Sequence, residues 1–214
     1  MLLAATITVA LGAAVRPADA TPLLSFGQVG IKDTITATND AGNTVTTITG
    51  TAIPVTVTQY LGGGTPFSAN LTLTLTSIGA ITNTAGTLTQ DYSGTASWTN
   101  GATNYLTATF VDTLFAISGA SSLTISASQP PDTITFTSSV LPAGDFVNPL
   151  GLSFSFAGVN PPAAVAGTTL RAFASTISGT TSTNFSVPTP EPATLVLLGV
   201  GLAGLGLSRA RRAG

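Results

Sequence analysis

Threonine alternates with apolar residues along much of this chain. Side chains on one side of a strand recur at every second position, so the pattern builds strands with one apolar and one polar face. Within residues 70–76, Leu71, Leu73 and Leu75 point one way and Thr72, Thr74 and Thr76 the other. Residues 133–137 set Ile134 and Phe136 against three threonines, and residues 152–156 set Leu152, Phe154 and Phe156 against two serines. Residues 31–38 follow the same rule, although Asp33 falls on the apolar side. Further strands are expected at 44–51, 53–60, 87–98, 105–111, 114–118, 123–127 and 170–178. No helical periodicity stands out between residues 21 and 187.

Turn chemistry separates these runs. Asn39-Asp40-Ala41-Gly42-Asn43 suits a hairpin loop, because Asn, Asp and Gly tolerate positive φ. Gly62-Gly63-Gly64-Thr65-Pro66, Asn100-Gly101, Gln129-Pro130-Pro131-Asp132 and Asn160-Pro161-Pro162 are similar breaks. About ten strands, each with one apolar face, have to cover one another. The expected fold is therefore all-β: one antiparallel β-sandwich, jelly-roll or Ig-like, over residues 21–187. A β-solenoid is the alternative, but no fixed-period repeat supports it.

Composition agrees and removes several functions. Charged residues make up 7% of the chain, against about 25% in ordinary domains, yet 43% are hydrophobic. That balance describes a folded, β-rich chain and not a disordered one. Between Thr21 and Val187 the only cations are Lys32 and Arg171. Without a basic patch, nucleic acid is excluded as a partner. There is no Cys and no His, so disulfides and Ser-His-Asp or Cys-His catalysis are excluded too. Lys32, the one candidate for a Ser-Lys dyad, sits beside Asp33 and reads as a paired or solvated edge charge. Six aspartates lie in the same stretch, mostly in turns or at strand ends. No enzyme activity, cofactor or metal is expected. The Asn39–Asn43 loop has too few carboxylates for Ca²⁺.

Both ends differ from the middle. Leu2 to Val15 is mostly apolar, too short to span a bilayer, and runs into Arg16-Pro17-Ala18-Asp19-Ala20. Ala18-x-Ala20 is the small-x-small pattern cut by signal peptidase, so residues 1–20 read as a signal peptide, although no Lys or Arg precedes the apolar run. An N-terminal strand or a buried helix is the alternative. At the other end, residues 188–193 are Pro-rich and stay extended. Residues 194–208 form one apolar, Gly-containing transmembrane helix. Its roughly 15 apolar positions reach roughly 22 Å, short of the bilayer's roughly 30 Å core. Residues 209–214 hold Arg209, Arg211 and Arg212, which keep the C-terminus in the cytoplasm.

Pro190-Glu191-Pro192, the apolar Gly-containing helix and the terminal arginines together resemble the PEP-CTERM sorting signal. An ordinary C-terminal membrane anchor is the alternative. The resemblance covers about the last 27 residues and implies an exported protein of a Gram-negative bacterium that makes extracellular polysaccharide. It implies processing by exosortase, a membrane enzyme, with transient insertion into the inner membrane and then delivery to the cell surface or extracellular matrix. The expected function is a non-catalytic surface or matrix protein associated with exopolysaccharide or biofilm. A carbohydrate-binding module is the alternative. For that reading Tyr92, Trp98 and Tyr105 are the candidate glycan contacts: they lie in or beside strands and either stack on sugar rings or fill the core.

Overall fold

The computed structural model describes residues 20–30, 35–129 and 132–184. It contains strands β1 (Thr21–Gln28), β2 (Ile35–Asn39), β3 (Thr46–Tyr60), β4 (Phe67–Thr84), β5 (Thr87–Asn100) and β6 (Thr103–Ile117). It continues with β7 (Ser122–Gln129), β8 (Thr133–Thr137), β9 (Leu150–Asn160), β10 (Val165–Ala166), β11 (Thr169–Leu170) and β12 (Phe173–Thr183). The described residues hold no α-helix, only a 3-10 turn at Ala143–Asp145. Among them no helix is long and apolar enough to cross a membrane. The expected signal peptide, Lys32 and Asp33, and the tail from Pro188 lie outside the described residues, apart from Ala20, which is exposed.

The all-β expectation holds, but the sandwich does not. β1, β3, β4, β5, β6, β7, β9 and β12 pair in turn, and β12 pairs back onto β1, closing an eight-stranded antiparallel barrel. β2 prolongs the β1 position between β3 and β12. β8 prolongs the β7 position against β6. Hairpins join most neighbours in sequence order, so the topology is a meander bent round on itself.

Strand length explains the correction. β3, β4, β5 and β6 run for 15, 18, 14 and 15 residues, longer than the short strands of a sandwich. The runs at 44–51 and 53–60 are one strand, continuous through a bulge between Gly50 and Ile53 where Ala52 has φ 50°. The runs at 105–111 and 114–118 likewise merge into β6. Long twisted strands coil, and bulges let them turn corners. Closure also pairs the eight wall strands on both sides, which spares this charge-poor chain long open edges that it has few side chains to guard.

Alternation now has one enclosed interior to fill. Leu71, Leu73 and Leu75 are buried inside, and Thr72, Thr74 and Thr76 are exposed outside. Phe26, Trp98, Phe110 and Phe154, from four different strands, meet in the middle with ring centroids 5.3–6.1 Å apart. An eight-stranded barrel is just wide enough for side chains to fill it. Apolar side chains inside and hydroxyls outside are the reverse of a porin-type membrane barrel, and the threonine rows suit water.

Candidate functional site

The two poles of the barrel differ. Thr21 pairs with Thr183, so the first strand starts beside the end of the last one, at one pole. The described chain therefore enters and leaves the barrel at the same place. Ala20 immediately precedes β1. β12 ends at Thr183, and the Pro-rich stretch opens soon after it, at Pro188.

The opposite pole is closed by the β10–β11 hairpin. Its Thr169 hydroxyl meets Thr46 Oγ1 at 2.6 Å and accepts from Gln90 Nε2 at 2.9 Å. Gln90 Oε1 accepts the Leu170 N–H at 3.0 Å, and the Tyr92 hydroxyl donates to the same oxygen at 3.3 Å. Asn39 Nδ2 donates to the Leu170 carbonyl at 2.8 Å, and Ser77 Oγ accepts the Thr46 N–H at 2.9 Å. Each member finds a partner inside the network, so these buried polar groups fasten the plug and leave nothing for a ligand.

The candidate glycan contacts are placed differently from the sugar-stacking expectation. Tyr92 and Trp98 are 0% exposed, and both point into the barrel. Burial removes them as sugar contacts. Tyr105 is partly buried at the pole where the chain enters and leaves. It packs on Phe67 at 4.4 Å and on Tyr60 at 5.6 Å, and its carbonyl accepts the Tyr60 hydroxyl. The three residues do not form one platform. The parity that Tyr92 shares with Trp98 was the available signal, since on a strand with one buried face shared parity puts both rings on the same side.

The aspartates are dispersed. Asp40 spends both carboxylate oxygens on its own loop: Oδ1 accepts the Thr44 and Val45 N–H groups and Oδ2 accepts the Thr44 hydroxyl. Those bonds, the one from Val45 foremost, hold its carboxyl below the usual range. This is Asx-turn chemistry in the expected β2–β3 hairpin. Asp91 lies on the outer wall and accepts the Thr113 hydroxyl at 2.6 Å. Asp112 points inward, a position that sequence reading missed. Among the described residues no three His, Cys, Asp or Glu side chains group to hold a metal.

The model of the PEP-CTERM protein-sorting motif matches residues 188–212. The chain carries this sorting motif. The PEP-CTERM match spans Pro190, Glu191 and Pro192, the apolar run and Arg209, Arg211 and Arg212. A PEP-CTERM tail implies export, surface sorting in Gram-negative bacteria and processing by exosortase, a membrane enzyme. No curated protein and no solved structure matches the chain.

Proposed function

We propose that the barrel is the non-catalytic cargo of a surface or extracellular-matrix protein, sorted through its PEP-CTERM tail and associated with exopolysaccharide or biofilm. Residues 1–20 act as the signal peptide in this reading, with Ala18 and Ala20 recognised by signal peptidase. The observation that carries it is the placement of the tail: the motif begins at Pro188, just after a closed barrel whose last strand ends at Thr183. A membrane enzyme can act on the tail without unfolding the cargo. Pairing of Thr21 with Thr183 supports the same view, because removal of either terminal segment leaves the ladder intact. A closed wall and an aromatic-filled interior support a structural role over a catalytic one.

Deleting residues 188–214 tests the sorting step. The truncated protein should keep its barrel, by circular dichroism, and accumulate in the periplasm instead of at the surface. Equal surface delivery of the truncated and full chains would overturn the proposal.

A further inference from the structure

Strand β6 is covered on one side by two strands in succession. Leu114–Ala116 pair with β7, and Thr107–Val111 pair with β8. Asp112 and Thr113 fall between the two ladders and pair with neither β7 nor β8. Asp112 shares the inward parity of Leu106, Ala108, Phe110, Leu114 and Ala116, and it is 4% exposed. Its Oδ1 accepts the N–H of the adjoining Thr113, and its Oδ2 has no hydrogen-bond partner among the described residues. A buried, half-satisfied carboxyl is costly, and ionising it costs far more.

Only the Thr113 N–H favours its charge, and burial outweighs that bond. β5 brings Asp91 and Tyr92, and Tyr92 stands opposite Asp112 in the register with its hydroxyl turned to Gln90. Asp132, directly before β8, uses its carboxylate to accept the Ser128 N–H. β4, β7, β8 and β9 carry no titratable side chain. The sole cation among the described residues, Arg171, donates to the Pro162 carbonyl beside the plug.

We propose that Asp112 is a pH-sensitive latch on the seam between β7 and β8: the neutral acid keeps the wall shut, and its ionisation drives the seam open so that water reaches the carboxylate. Burial, reinforced by the charges of Asp132 and Asp91, holds the carboxyl up to about 7 in the closed barrel. A solvated aspartate titrates near about 3.9. The closed form binds the proton more tightly, so closure is fully favoured below about pH 4. That advantage is lost as pH rises toward about 7, and opening levels off above it.

Hydrogen exchange of the full chain, corrected for intrinsic rates, reads this directly. Protection of the seam amides in residues 126–129 and 132–137 should fall about ten-fold or more between about pH 5 and about pH 7. Amides of β3 and β4 should change less. Asp112→Asn should abolish the pH dependence, and Asp91→Asn, on the surface, should make it level off at lower pH. A wild-type seam with flat protection, or the wild-type profile retained in Asp112→Asn, would overturn the latch. If Asp112→Asn does not fold, an unchanged profile in Asp91→Asn counts against it equally.

Discussion

Gly94→Ala should leave the chain unable to complete its barrel, giving insoluble protein or a stability loss above about 3 kcal/mol in urea unfolding. Gly94 occupies an inward position on β5 between Tyr92 and Ala96, where the pattern otherwise calls for a side chain. A Cβ there would run into the Thr74 carbonyl oxygen and lie 2.8 Å from Leu75 Cα. Both are backbone atoms of the neighbouring strand, so no rotamer change relieves the clash. Residue 94 also pairs with Leu75 on β4 and Phe110 on β6, so displacing it pulls on two ladders. A glycine in a strand interior marks such a close approach. Gly144→Ala is the control: a Cβ there meets nothing within 4 Å, and stability should change little.

Trp98→Ala should cost about 3–5 kcal/mol, measured by the same unfolding. Domains of this kind are stable by only about 5–15 kcal/mol, so the variant should be largely unfolded on mild warming. The indole is fully buried and touches both Phe26 and Phe154, with centroids 5.3 and 6.1 Å away. Removing it opens a void in the middle of the barrel that strands hydrogen-bonded on both sides cannot collapse into. Trp98→Phe should lose much less. It keeps a ring in place and removes the indole Nε1, which has no hydrogen-bond partner among the described residues.

Period two made most of the wall legible in the sequence. Leu71, Leu73 and Leu75 had to face an interior, and the Asn39–Asn43 loop had to turn the chain. A barrel and a sandwich share that pattern, because both bury one face of each strand. They differ in whether the last strand finds the first, and the Thr21–Thr183 pairing joins residues with no local signal for each other. Merging of the β3 runs was hidden for a related reason: Ala52 fell between two runs, yet a bulge carries the ladder past it. Trp98 was ambiguous because an amphipathic ring suits a sugar or a core, and only its neighbours decide. Asp112 was obscured because it fell in the gap between the expected runs at 105–111 and 114–118, where an aspartate reads as a strand end, although its parity with Phe110 and Leu114 already pointed inward. The tail was the most legible part, because its prolines, apolar run and arginines act through their order in the chain.

The central claim is that the barrel is cargo delivered by a tail cut at the membrane. Intact mass spectrometry of the protein recovered from the cell surface or matrix tests it most directly. The predicted mass is that of a chain beginning at Thr21 and lacking the apolar run and arginines of residues 194–214, with any added group read from the remainder. A surface form that still carries Arg209, Arg211 and Arg212 would contradict the account.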